Sequence, residues 1–320
     1  MTSFLSPKKI EELILDNFTE YQHLFIQFQS NFLSRLYKRY QGVETGNLVL
    51  YFAKLAHQDI LRQKEYDLNF NISFEKFWEN HKLISPTKNP ITKIAEDVSV
   101  PKETARRKIL QLIKQKVLSK KNKNIGWFPN EQYKESYNLI IQSEIKELSS
   151  LIYYICNQMN LSVSKDNAEK QLKEKFNFYW FHFLNTQLKY FKLWSTQLKD
   201  LDIVLIGLQV AAVFTLREKK KYLSHENIYN NSSVIKNFEN TSITATSISE
   251  ITGIPRATCI RKLKQLIKLK MLAQDDISKS YYLSSTSTTQ DLISKKITQD
   301  IIKTSSEFYF ICIRALTTKP

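Results

Sequence analysis

The feature that most constrains this chain is an internal repeat. Residues 100–118, Val-Pro-Lys-Glu-Thr-Ala-Arg-Arg-Lys-Ile-Leu-Gln-Leu-Ile-Lys-Gln-Lys-Val-Leu, align without a gap on residues 254–272, Ile-Pro-Arg-Ala-Thr-Cys-Ile-Arg-Lys-Leu-Lys-Gln-Leu-Ile-Lys-Leu-Lys-Met-Leu, at an offset of 154. Pro101, Thr104, Arg107, Lys108, the tetrapeptide Gln111 to Lys114, Lys116 and Leu118 recur as Pro255, Thr258, Arg261, Lys262, Gln265 to Lys268, Lys270 and Leu272. Ile94 and Glu96 recur as Ile248 and Glu250 at the same offset. Weaker matches extend outward, Phe32-Leu33 with Phe183-Leu184 upstream and 149–156 with 305–312 downstream. A block repeated this way must fold the same way twice. Two repeats are therefore expected, 1–160 and 161–320.

Charge and composition narrow the function classes. The 320 residues carry 47 Lys and Arg against 31 Asp and Glu, a formal charge of +16, which points to an anionic partner. Five glycines are too few for the phosphate-cradling fingerprints, and neither pattern is present. Cys156, Cys259 and Cys312 cannot form a disulfide framework, and the five histidines lack metal-ligand spacing. With no nucleophile constellation and no paired carboxylates, neither an enzyme nor a cofactor is expected. The longest charge-free apolar run, 203–215, is too short to span a bilayer, and the N-terminus lacks a signal-peptide core. The expectation is a cytoplasmic protein that does not engage membranes.

Periodicity predicts a mainly α chain with small β-hairpins. Phe25, Phe28, Phe32 and Leu36 share one helical face over 10–40. Gly42 and Gly46 are expected to break that helix, and a second covers 47–63, with a counterpart over 201–219. Asn89-Pro90 reads as an N-cap and first helical residue for 91–98. Ser247 to Glu250 has capping-box spacing. A turn follows at Ser99 and Gly253, where positive φ favours glycine. The next helices run to about 116 and 270, with Val100, Ala105, Ile109 and Leu112, and their counterparts Ile254, Cys259, Leu263 and Leu266, facing inward. Hairpins over 117–128 and 271–283 and a long closing helix complete each repeat. The aromatic stretch 176–183, with Trp194 beyond it, reads as core or inter-half interface rather than a base-stacking platform, and Cys259 as a small core residue.

Helix, turn, helix, hairpin is the winged helix-turn-helix order, and the residues resemble that family. Ile94-Ala95, Ser99-Val100, Thr104, Arg106 and Leu118 are similar to a bacterial pattern Leu-Ala-x3-Gly-Val-Ser-x2-Thr-Val-x-Arg ending in Gly-Leu; Ile248-Ser249, Gly253-Ile254, Thr258 and Leu272 repeat it. The flanking helices resemble MarR-type regulators, duplicated here within one chain as in the two-repeat staphylococcal accessory regulators. The family's final glycine and its acidic-then-Arg wing are replaced here. The resemblance implies a pseudo-two-fold single-chain dimer and a nucleoid-associated transcriptional regulator that binds double-stranded DNA.

The candidate contacts follow from helix geometry, since outward side chains of a helix in the major groove read base edges. They are Lys102, Thr104, Arg106, Arg107 and Lys108 on the first reading helix, with Lys120, Lys121 and Lys123 on its wing. On the second they are Arg256, Thr258, Arg261 and Lys262. Residues 91–124 hold ten basic and three acidic residues; 248–280 hold seven and three. Two readings compete: a plasmid- or phage-type replication initiator with two winged domains, and a winged-helix docking adaptor. Self-association, RNA polymerase and a small-molecule effector stay open as partners.

Overall fold

A computed structural model describes residues 5–84, 89–121, 124–127, 131–224, 241–284 and 289–318. The chain is mainly helical with two antiparallel hairpins. The helices are α1 (Pro7–Asp16), α2 (Phe18–Tyr40), α3 (Val43–Leu61), α4 (Ile91–Asp97), α5 (Lys102–Lys114), α6 (Glu131–Gln158), α7 (Lys165–Glu174), α8 (Phe176–Leu198), α9 (Leu201–Ser224), α10 (Ala245–Thr252), α11 (Arg256–Lys268) and α12 (Thr289–Thr317). Hairpin β1 (Ser119–Lys121) with β2 (Asn124–Gly126) follows α5, and β3 (Leu272–Gln274) with β4 (Tyr281–Leu283) follows α11. The element order α4–α5–β1–β2–α6 thus recurs as α10–α11–β3–β4–α12.

Two compact units form, and each combines segments distant in sequence. One comprises Met1–Leu13, Glu44–Gln197 and Ile301–Pro320; the other comprises Ile14–Val43 and Leu198–Asp300. Each unit is therefore assembled from segments far apart in sequence.

In the first unit, α3, α6 and α8 each bury apolar side chains, among them Phe52, Ile145, Leu148, Ile152 and Phe183. His57 sits fully buried in it, bonded by Nδ1 to Asn177 Oδ1 at 2.7 Å, while Asn177 Nδ2 donates back to the His57 carbonyl at 3.1 Å. Phe77 stacks on the imidazole at 4.8 Å, and Phe176 meets it edge-on at 5.5 Å. The segment 176–183 is core as the pattern implies, with Phe176, Tyr179, Trp180 and Phe183 all buried. In the second unit α2 packs along α9, and Gln209 Nε2 donates to Ser30 Oγ at 2.8 Å between them.

Several boundaries differ from expectation for local reasons. The helix expected over 10–40 breaks after Asp16, and Asn17, with φ −114°, makes no side-chain cap for α2. Gly46 lies inside α3, because only Gly42 occupies the non-helical link. Pro90, not Asn89, is the N-cap of α4. Pro101 and Pro255 are N-caps as well, with ψ of 136° in both, so their missing N–H falls outside the helix. The α10 cap is Thr244, whose side chain accepts from Ser247 N, so the helix begins three residues before the expected box.

The helix bounds also move the upstream alignment. Helices α2 and α8 each span 23 residues and start 158 apart, as do α3 and α9. At that offset Tyr21, Phe25 and Gln29 match Tyr179, Phe183 and Gln187 on one face. The pairing of Phe32-Leu33 with Phe183-Leu184, at an offset of 151, lies seven residues from this one, two turns along the same helical face.

Candidate nucleic-acid interface

The site begins with the turns that aim two helices. After α4, Ser99 adopts φ +56°, and its N–H and that of Val100 bond back to the Glu96 and Ala95 carbonyls at 3.2 and 2.9 Å. After α10, Gly253 takes the same place at φ +78° and bonds to the Ser249 carbonyl at 2.8 Å. At the second turn Thr252 Oγ1 accepts from Ile254 N at 3.2 Å.

The helices also end alike. Lys116 at φ +59° and Val117 bond to the Ile113 and Leu112 carbonyls; Lys270 at φ +56° and Met271 bond to those of Ile267 and Leu266. Each end is a Schellman motif with lysine in the left-handed position that usually selects glycine. Lys116 and Lys270 thus bear the same left-handed strain at the two helix ends.

Burial confirms the inward faces. Ala105, Ile109 and Leu112 are buried on α5, and Cys259, Leu263 and Leu266 on α11. On the outside, Lys102, Arg106 and Arg107 are exposed and Thr104 is half-buried; Arg256 and Arg261 are exposed and Thr258 is half-buried. Lys120 and Lys121 lie exposed on β1. Lys123 falls outside the described residues.

The exposed groups differ in how they are engaged. Arg106 grips Glu103 on its own helix, with Nε 3.1 and 2.9 Å from the two carboxylate oxygens and Nη2 2.7 Å from Oε1. That hydrogen bond holds the Glu103 carboxyl below its ordinary range and raises the Arg106 guanidinium. Arg256 Nε donates to Thr246 Oγ1 at 3.0 Å, tying the start of α11 to α10.

Two residues expected in the interface are placed elsewhere. Lys262 is only 4 % exposed and pairs with Asp200, with Asp202 at 3.8 Å. Its counterpart Lys108 is half-buried, with Nζ 2.9 Å from Thr45 Oγ1 and 3.4 Å from Glu44 Oε1. Both turn sideways because an acidic helix start lies within reach of the amine. The helical wheel alone, drawn without that neighbour, puts them outward.

The same wheel carried further finds what the selection missed. The exposed row continues along Arg107, Leu110, Gln111 and Lys114 on α5, and along Arg261, Lys264, Gln265 and Lys268 on α11. Lys114, Lys264 and Lys268 therefore belong to the cationic face, and Leu110, half exposed, interrupts it only in the first copy.

The hairpins contrast in charge. The first carries Lys120 and Lys121; the tip of the second carries Asp275, Asp276 and Ile277. Ser278 Oγ, 2.6 Å from Asp275 Oδ1, lowers that carboxyl's pKa, so it stays ionised. Among the described residues, no group of His, Cys, Asp or Glu is placed to hold a metal ion, and no helix is long and apolar enough to cross a membrane. No protein-family model, no curated protein and no solved structure matches this chain.

Proposed function

We propose that the chain is a duplicated winged helix-turn-helix protein that binds double-stranded DNA in sequence-dependent fashion and regulates transcription without catalysing a reaction. The observation that carries the reading is the repeated cationic face. Two helices with the same entry turn, the same cap and the same inward residues both expose arginine and lysine along one row, from Arg107 to Lys114 and from Arg261 to Lys268. A row of this kind, on a helix that projects past its own turn, suits phosphates and the guanine edge in a major groove. The basic hairpin beside α5 adds backbone contacts. A docking adaptor has no need to keep arginine and lysine at equivalent exposed positions twice.

The experiment is binding of the full chain to duplexes selected from a random-sequence library, titrated at several salt concentrations. The expected result is a selected consensus and a steep loss of affinity with salt. Replacing Arg107 and Arg261 together by alanine should weaken binding to the selected duplex roughly tenfold or more and flatten the salt dependence by about two contacts' worth. Failure to enrich any duplex, with the fold intact by circular dichroism, would remove the reading.

A further inference from the structure

We infer that Lys108 and Lys262 are positioning residues that set the rotation of the two reading helices, acting through Arg107 and Arg261. The inference rests on the DNA-binding reading and specifies how the site is held. It starts from the fact that two lysines at equivalent places on helices otherwise rich in exposed cations both turn away from solvent. Lys262 is 4 % exposed and lodged against Asp200 and Asp202 at the start of α9. Lys108 meets Glu44 and Thr45 at the start of α3. The two scaffold helices start 158 residues apart, so Glu44 and Asp202 are equivalent positions, each the second residue of its helix.

The acidic partners are themselves fixed. A carboxylate in the first turn of a helix is favoured by the unpaired N–H groups there. Asp202 Oδ1 also accepts from Val43 N at 2.9 Å, and Asp200 Oδ1 accepts from Asp202 N at 3.0 Å. Lys262 is thus bonded to a carboxylate pair that has little freedom to move. An apolar residue would fill the same space, but it would not define a direction. An ammonium on a carboxylate does.

The consequence for reading is geometric. Successive helical side chains diverge by about 100°. Pinning Lys108 toward α3 fixes where Arg107 projects, and pinning Lys262 toward α9 fixes Arg261. A lysine held this way is withdrawn from phosphate, since a buried amine freed of its carboxylate partner would leave an unpaired charge inside the protein.

The test separates a clamp from a contact. Lys108→Met with Lys262→Met keeps the aliphatic stem and removes the charge. Binding to the selected duplex and to a mixed-sequence duplex is measured across salt concentrations. A clamp predicts that discrimination between the two duplexes falls about tenfold or more, the worth of a good bidentate base contact, while the salt slope stays unchanged. Lys→Arg at both positions should restore discrimination. A slope reduced by about two, matching Arg107→Ala with Arg261→Ala, would make the lysines phosphate contacts and overturn the inference.

If the methionine variant does not fold, Glu44→Gln with Asp200→Asn and Asp202→Asn releases the lysines instead. Lost discrimination then supports the clamp. A steeper salt slope with discrimination intact refutes it. Absence of salt-dependent duplex binding by the wild type is a different failure, that of the DNA reading itself.

Discussion

The two turn–helix–hairpin segments have nearly the same backbone and different surfaces. Pro101 and Pro255 agree within a degree in φ and ψ, as do the helix-ending residues Gln115 and Leu269. Over the same segments, Glu103 and Arg106 become Ala257 and Ile260, Leu110 becomes Lys264, and a lysine-bearing hairpin becomes an acidic one. What stayed fixed includes the proline caps, the inward apolar positions, the carboxylate-paired lysine and the exposed Arg107/Arg261 and Lys114/Lys268. What drifted is mostly exposed, where a substitution costs little stability. A symmetric target is therefore not expected. The first copy should carry more of the sequence-independent affinity, because phosphates are repelled by Asp275 and Asp276 on the second hairpin.

The units also differ in their cores, and acid should expose this with the largest effect. His57 of α3 corresponds at the 158 offset to Thr215 of α9, which is buried with its hydroxyl donating to the Ala212 carbonyl at 3.2 Å. Burial among aromatic rings lowers the His57 pKa from 6.5 to about 4, against a smaller opposing effect of the Asn177 hydrogen bond. Since the folded-state value is depressed, the unfolded chain takes up the proton first as pH falls. The stabilisation is complete above about pH 6.5 and drains away between pH 6.5 and 4, amounting to about 3 kcal/mol. Hydrogen exchange at pH 7 and pH 4.5 should show α3 and α8 losing protection while α2 and α9 keep theirs. His57→Gln, which retains a donor for Asn177, should flatten the difference. Equal losses in both units would sink the assignment.

The entry turns come next in size. A Cβ at Gly253 would stand 3.4 Å from Lys38 Cγ, at a φ of +78° that disfavours any L side chain. Gly253→Ala should cost about 1–2 kcal/mol in thermal or denaturant unfolding. Ser99 already bears that strain at φ +56°, so Ser99→Gly should recover about 0.5–1 kcal/mol, the relief less the added entropy of the unfolded glycine. A destabilising Ser99→Gly would mean that the two turns are not equivalent.

The central repeat was legible because it is local. Proline caps, inward spacing and hairpins all depend on neighbours within a few residues, and the helices and hairpins stand about where periodicity puts them. The interleaving of the units was not legible. Whether α2 packs on α3 or on α9 depends on long-range complementarity, and the repeated Tyr-x3-Phe-x3-Gln face of α2 and α8 signals kinship, not partner choice. Left-handed positions were hidden as well: Gln41, Ser99, Lys116, Asn160, Lys199, Lys270 and Lys279 all take positive φ without being glycine. Helix ends closed by Schellman bonds tolerate that strain without advertising it in the composition. The cationic face was partly legible: spacing found Arg107 and Arg261 exposed, but Lys108 and Lys262 turn aside because their acidic partners lie sixty or more residues away in sequence.

The smallest predicted effect concerns the outward Glu103–Arg106 pair on α5. In the first copy Glu103 occupies the Arg106 fork and adds a negative charge to the reading face; in the second, Ala257 and Ile260 leave no such pair. The pair is solvent-exposed, so breaking it costs the fold almost nothing. Glu103→Ala should leave the unfolding temperature unchanged, raise affinity for a mixed-sequence duplex a few-fold, and steepen the salt slope by about one contact as Arg106 becomes available to phosphate. The opposite graft, Ala257→Glu with Ile260→Arg, should barely change affinity, because the arginine it adds arrives with its own partner. If Glu103→Ala instead weakens binding to the selected duplex alone, Glu103 is itself reading a base, an acceptor placed to meet a cytosine amine. The difference between the copies would then be one of specificity, with electrostatics secondary.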